Sequence, residues 1–373
     1  MEDALNKRTV QLLSADGVLN TDGVSADYLQ YVEKLSDDQL RQFYRDMVVI
    51  RRFDIEATNL QRQGQMALWV PSIGQEAAQV GSAHAARPQD HLFPAYREHA
   101  VAMIRGLDLL KVVEMLRGNT HGGWNPAETG NFHVYSLVIG THTLHATGYA
   151  MGIMFDGKAG TGNADVDEAV IVYFGDGATS QGDVSEALVF AASFQTPQVF
   201  FLQNNHWAIS VPVRVQSRTP LVDRPAGFGI PGVQIDGNDV LASYAVTAKH
   251  LDDARSGKGP SFIEALTYRI GAHTSSDDPT KYRLDAELQS WIARDPISRY
   301  EAYLRGRGEG DSYFAEVQIE ADDLASDIRR RTIALEAPST AKLFDHVYSE
   351  SHPVMDAQKK WLASYESSFG GVA

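Results

Sequence analysis

Residues 169–210 read AVIVYFGDGATSQGDVSEALVFAASFQTPQVFFLQNNHWAIS. An apolar, β-branched run ends in Gly175-Asp176-Gly177; a helical segment follows, and a second apolar run ends in Asn204-Asn205. Near-continuous apolar strands joined by a helix indicate a parallel sheet covered on both faces. In such a sheet the strand C-termini share one edge, and ligands bind in the crevice beyond it. Neighbouring strand tips lie roughly 5 Å apart. A carboxylate at Asp176 and a carboxamide at Asn205 could then reach one hard divalent cation. Mg²⁺ wants about six oxygens in octahedral array. The backbone carbonyl of Trp207 is a candidate third protein ligand, with phosphate oxygens and water completing the shell. Gly175 and Gly177 free the backbone to approach those phosphates, and Ala178 beside them is a further cofactor-binding candidate. Taken alone, GDG could be a plain strand-to-helix turn.

Working outward, the strand–helix–strand pattern repeats. Strands are expected at 169–174, 198–202, 232–235 and 260–268, and helices at 183–194 and 239–254. Upstream, Ser36-Asp37-Asp38 reads as a helix start, with Leu40, Phe43, Tyr44, Met47 and Phe53 at helical spacing and an end near Gly64. Small residues at 75–86 and 141–155 predict tightly packed helices, and one helix is expected over 98–117. Residues 118–136 have no period and read as a long loop. The segment from about 285 onward reads as helical and polar. The division expected is an N-terminal extension over 1–35, ordered by packing on a partner, an α/β domain over 36–305 and a helical extension over 306–373.

The chain has 373 residues, 43% hydrophobic and 22% charged, which is ordinary globular composition. A net charge of −15 argues against binding a nucleic-acid backbone. With no cysteine there is no disulfide, thiolate–metal site or cysteine nucleophile. No run reaches the roughly 20 apolar residues of a membrane span, and no signal sequence is visible, so no membrane partner and a cytoplasmic location are expected.

Seven segments occur in order: SIGQEAAQVGSA (72–83), FPAYREHAVAMIRG (93–106), VIGTHTLHATG (138–148), GDGATSQGD (175–183), QNNHWAISVP (203–212), IPGVQIDGND (230–239) and YRIGAHTSSDDPTKYR (268–283). From about Ser36 to Arg305 the chain resembles the alpha subunit of the decarboxylating (E1) component of 2-oxo acid dehydrogenase complexes, such as those for pyruvate and branched-chain acids. The resemblance implies the diphosphate-binding half of a transketolase-like, thiamine diphosphate-binding fold, with Mg²⁺ as the metal. It implies that Tyr96 and Arg97 contact the diphosphate, that Ile139 lies beside the aminopyrimidine, and that His273 lies near the diphosphate and the reacting carbon as the catalytic residue. A planar guanidinium fork suits phosphate oxygens. Asp183 and Glu186 match acids that line a tunnel between paired active sites.

This chain departs from its relatives at Gln203, where some carry arginine, and at Ala272; His133 stands in a differently spaced segment. Leu68, Trp69 and Ile139 read equally as candidates for an acyl-chain pocket and as structural core. No second domain offers the glutamate that activates the aminopyrimidine ring. The resemblance therefore implies an E1 beta subunit in an α2β2 heterotetramer, a 2-oxo acid as substrate, and the lipoyl domain of the E2 dihydrolipoyl acyltransferase as acceptor. The two small-residue helices read equally as interface elements and as core. The alternatives are an acetoin dehydrogenase alpha subunit and a non-catalytic homologue; a nicotinamide-binding protein is disfavoured because no G-x-G-x-x-G follows a first strand.

Overall fold

In the computed structural model, which describes residues 8–120, 123–345 and 347–370, the segment 169–210 forms the middle of the fold. Five parallel strands build one sheet: β1 (His91–Phe93), β2 (Val170–Gly175), β3 (Gln198–Asn204), β4 (Gly232–Asp236) and β5 (Ser261–Leu266). Their order is β1-β2-β3-β5-β4. The two-residue period of a strand sends alternate side chains to opposite faces. Ile171, Tyr173, Val199 and Phe201 enter one core, while Val170, Val172, Phe174, Phe200 and Leu202 enter another.

The first core is covered by α1 (Asp37–Arg62), α2 (Glu76–Ala85) and α5 (Val240–Arg255). The second is covered by α3 (Thr141–Phe155) and α4 (Gly182–Phe194). Helix α1 starts at a capping box: Ser36 accepts from the Gln39 backbone, and the Gln39 side chain accepts from the Ser36 N–H. Helix α6 (Asp311–Ile333) lies along α1 and is joined to it by Arg45–Glu320, Arg52–Asp322 and Glu56–Arg329 ion pairs. Helix α7 (Pro353–Ser367) has no buried residue.

Two expectations need correction, and one strand was not anticipated. The helix expected over 98–117 is two helices, His99–Ile104 and Leu109–Arg117. Gly106 takes φ 85° between them, and the Asp108 carboxylate restarts the turn by accepting from Leu110 N. Strand β1 is too short to leave a period in the sequence. Lastly, the described part of the N-terminal extension packs on its own chain. Val10 bridges Ile235 at the edge of the sheet, and Leu12 and Leu13 are fully buried, their N–H groups both donating to Asp239 Oδ2 at 2.6 Å. Residues 1–7, and positions 121 and 122 of the expected loop, lie outside the described residues. The rest of that loop is a packed segment: Trp124 donates from Nε1 to Phe132 O and stacks on the buried Phe132 ring.

Candidate functional site

Register fixes the site. Gly175 at the end of β2 pairs with Gln203 near the end of β3, so Asp176 and Asn205 leave adjacent strand tips. Both are buried and both line one cavity of about 240 Å³ at the C-terminal edge of the sheet. Gly175, Gly177, Ala178 and Trp207 line the same cavity. So do Tyr96, Arg97, Ile139 and His273, brought from the loop after β1, the approach to α3 and the loop after β5. All ten residues singled out in the sequence therefore meet at one place.

Each candidate metal-ligating oxygen is aimed by one hydrogen bond. Asp176 Oδ2 accepts from Gln216 Nε2 at 2.9 Å, Asn205 Oδ1 from Trp207 N at 3.2 Å, and Trp207 O from Arg269 Nη1 at 3.1 Å. An oxygen of this kind has a second lone pair, so all three can still coordinate. Burial pushes the Asp176 carboxyl up to about 6, against hydrogen bonding from Gln216 and the pull of Arg269. A buried carboxylate in that condition is ready for a cation. Gly177 is closed on one side, since a Cβ there would meet the Ala208 side chain at 2.9 Å, whereas a Cβ on Gly175 would meet nothing.

Arg97 is buried. Its Nη1 donates to Pro71 O and its Nη2 to His273 O at 3.1 Å, which leaves further N–H groups of the fork for an anion. His273 Nδ1 stands 3.4 Å from both Arg97 Nη2 and Arg269 Nη1. Guanidinium groups only donate, so Nδ1 is the acceptor and the ring proton sits on Nε2. Burial, then the Arg97 and Arg269 charges, bring this imidazole down to about 4, so it is neutral at ordinary pH. Arg269 is itself buried and also donates to Ile209 O at 2.8 Å and Tyr282 Oη at 2.9 Å. Tyr282 in turn donates to Asp277, whose carboxylate accepts from His273 N. One network thus sets the 271–283 loop against the Trp207 carbonyl.

Sequence reasoning missed several wall residues. Gln75, Glu98 and His142 line the cavity and sit inside motifs quoted above, but nothing in their type or spacing set them apart. Gln75 Nε2 and His142 Nδ1 are buried with no hydrogen-bond partner: one spare donor and one spare acceptor. His142 donates from Nε2 to Tyr173 O at 2.7 Å, which leaves Nδ1 as that acceptor. Such orphaned atoms fit a polar heterocyclic ligand.

Other candidates lie elsewhere. Trp69 is fully buried, stacks on His99 and donates from Nε1 to Asp54 Oδ1 at 2.5 Å, so it is core. Leu68 is absent from the cavity wall, and of that trio Ile139 alone reaches it. His133 stacks on Phe93 and faces His91, also away from the cavity. Asp183 accepts from Thr141 Oγ1 at 3.0 Å, and Glu186 is exposed.

A parallel α/β sheet here gathers two buried side-chain oxygens, an arginine fork and a neutral histidine around one cavity, a layout suited to an anionic cofactor and a cation. Residues 44–317 match the model of the family described as "Dehydrogenase E1 component", and the chain belongs to that family. It is 44% identical to the 3-methyl-2-oxobutanoate dehydrogenase subunit alpha of Mycobacterium tuberculosis (strain CDC 1551 / Oshkosh), over 92% of each chain. It is 38% identical to the pyruvate dehydrogenase E1 component subunit alpha of Acholeplasma laidlawii, over 88% of this chain and 95% of that one. The corresponding Bacillus subtilis (strain 168) subunit is 36% identical, over 80% and 77%. Among the described residues no helix is long and apolar enough to cross a membrane.

Proposed function

We propose that this chain is the alpha subunit of a 2-oxo acid dehydrogenase E1. It would bind thiamine diphosphate with Mg²⁺ and act in the oxidative decarboxylation of a 2-oxo acid, with transfer of the acyl group to the lipoyl domain of an E2 acyltransferase. The observation that carries this is the convergence of Asp176, Asn205, Arg97 and His273 on one cavity at the strand tips. Asp176 Oδ, Asn205 Oδ1 and the Trp207 carbonyl would hold the metal. Arg97, with Tyr96 beside it, would hold the diphosphate, and Ile139 would pack against the aminopyrimidine. When bound, thiamine diphosphate supplies the electron sink for the carbanion left by loss of carbon dioxide.

The chain's own residues do the rest. The arginine fork fixes the anionic end, and a low-dielectric wall strengthens every polar contact in the site. His273, neutral and protonated on Nε2, would donate a hydrogen bond from that nitrogen to an oxygen that gains charge. The two arginines at Nδ1 hold the ring in that tautomer.

The partner reading rests on the outer face of α3 and α4. Phe155, Val189 and Phe190 are exposed there, and Gly148 and Gly152 have open space in front of them. Gly140, which begins α3, and Gln181, which begins α4, both line the cavity. A chain covering this face would therefore also cover the cavity mouth. That is the position a beta subunit must take to bring the missing glutamate to the ring, and two such pairs would give α2β2. In this reading residues 36–305 are the cofactor domain and 1–35 and 306–373 are its extensions.

We assign the substrate as a branched-chain 2-oxo acid, on the higher identity to the 3-methyl-2-oxobutanoate relative across nearly the whole chain. Carbon dioxide release by the reconstituted alpha–beta pair tests both parts. The expected result is dependence on thiamine diphosphate and Mg²⁺, a higher kcat/KM for 3-methyl-2-oxobutanoate than for pyruvate, and loss of at least about a hundredfold in Asp176→Asn. Turnover by the alpha chain alone, or a preference for pyruvate, would overturn the corresponding part.

A further inference from the structure

Gln79, Glu98 and Gln203 come from three separate elements and meet behind Arg97, each no more than 2% exposed. Gln79 is on α2, Glu98 follows Arg97 in the loop after β1, and Gln203 stands two residues before Asn205 on β3. Backbone groups fix the direction of every bond among them. Ala100 N can only donate, so the Gln79 atom facing it at 3.1 Å is Oε1. Gln79 Nε2 then donates to Arg97 O at 3.0 Å and to Gln203 Oε1 at 3.2 Å. This turns the Gln203 nitrogen toward Glu98 Oε1, at 2.7 Å. The other Glu98 oxygen accepts from Arg97 N at 3.2 Å. The ring is closed, and Glu98 is the one member that only accepts. Both the N–H and the C=O of Arg97 are held by it, and the third anchor is the strand that carries Asn205.

Apolar side chains of similar shape would fill this space without the cost of burying three polar side chains. A ring with a fixed donor–acceptor order does something packing alone does not: it sets one backbone segment against another. We propose that Gln79, Glu98 and Gln203 are positioning residues that hold Arg97 at a set distance from Asn205, so that the guanidinium and the carboxamide address one bound diphosphate–metal unit together. This deepens the reading of Arg97 and Asn205 as cofactor ligands and rests on it.

The donor–acceptor order supplies the test. Glu98→Gln sets a second amide nitrogen against the Gln203 nitrogen or the Arg97 N–H. Gln203→Glu sets two carboxylates face to face. The double variant Glu98→Gln/Gln203→Glu reverses one bond and satisfies the ring again, because the new glutamate accepts from Gln79 and from the new glutamine, whose oxygen still accepts from Arg97 N. Affinity for thiamine diphosphate with Mg²⁺ is measured by calorimetry on the alpha–beta assembly, with melting temperature and assembled mass as controls.

Each single variant is expected to bind about 5- to 150-fold more weakly, the range for one unsatisfied buried group. The double variant is expected within about fivefold of wild type, a recovery that a purely packing role does not produce. Single variants that bind like wild type, or a folded double variant no better than the weaker single, overturn the proposal. Should a single variant not fold, Gln79→Met removes the donor to Arg97 O and leaves the Glu98–Gln203 bond. Weaker binding then supports the ring, and unchanged binding overturns it. Arg97→Ala, run alongside, separates the two levels. If it binds like wild type, the diphosphate reading falls and the proposal with it; if it loses affinity while the ring variants do not, the ring alone is overturned.

Discussion

The two small-residue helices look alike in sequence and lead opposite lives. In α2 every residue from Glu76 to Ala83 is buried, and a Cβ on Gly81 would lie 2.5 Å from Val240 O and 2.7 Å from Tyr244 N. That helix is an internal seam against α5. In α3 a Cβ on Gly148 or Gly152 would meet nothing, and exposed Phe155, Val189 and Phe190 surround that face. Small residues thus signal close approach without saying whose backbone approaches. The helix on one side of the sheet is enclosed within the chain, and the helices on the other side leave their outer surface apolar and open, as an interface core would be.

The largest expected effect lies on the open face. Phe190→Asp should leave the alpha chain folded but weaken assembly with the beta subunit by about 2–4 kcal/mol, roughly 30- to 1,000-fold in Kd by sedimentation or light scattering. Normal assembly would mean that this face is not the interface.

Next is a pH effect on the closed face. Asp54 on α1 is fully buried, accepts from Trp69 Nε1, Ser72 N and Ser72 Oγ, and is pushed up to about 6 by burial. Between about pH 4 and 6 the folded chain keeps a proton that the unfolded chain releases. The contribution of Asp54 to stability is therefore present in full below that window and falls as pH rises through it, by up to roughly 2–3 kcal/mol. Urea unfolding at pH 4.5 and pH 7 should show wild type losing stability with rising pH relative to Asp54→Asn. Equal slopes would show that the closed face is wetter than its packing indicates.

Gly81→Ala should cost about 1–3 kcal/mol, because its neighbours are backbone and cannot move aside cheaply. Gly148→Ala tests the contrast with the opposite sign. It should stabilise the isolated alpha chain by about 0.5–1 kcal/mol, as alanine for glycine does within an open helix. Two changes of one sign would erase the distinction between the helices.

Legibility followed the range of the interaction. Strands β2 and β3 and the residues at their tips could be read directly, since a short apolar run and strand-end residue types are local signals. The break at Gly106 depended on one left-handed glycine and one capping aspartate, and an apolar pattern running through both hid it. Trp69 read equally well as pocket or core, because an aromatic beside a site motif carries no direction; its bond to Asp54 decides the matter. The tautomer of His273 needed two arginines, one of them 176 residues away in the chain. The order of the Gln79–Glu98–Gln203 ring needed three elements at once. Gln203 stood out in the sequence only as a departure, and its neighbours give it a partner.

The N-terminal segment has a consequence for how the molecule is made. Thr9 donates to Gln234 Oε1 from 225 residues away, and Val10 completes the same edge. At about 5–20 residues per second a ribosome needs roughly 11–45 s to deliver that mate. Through that interval Val10, Leu12 and Leu13 lack their native neighbours, which makes them a natural handle for a holding chaperone during synthesis.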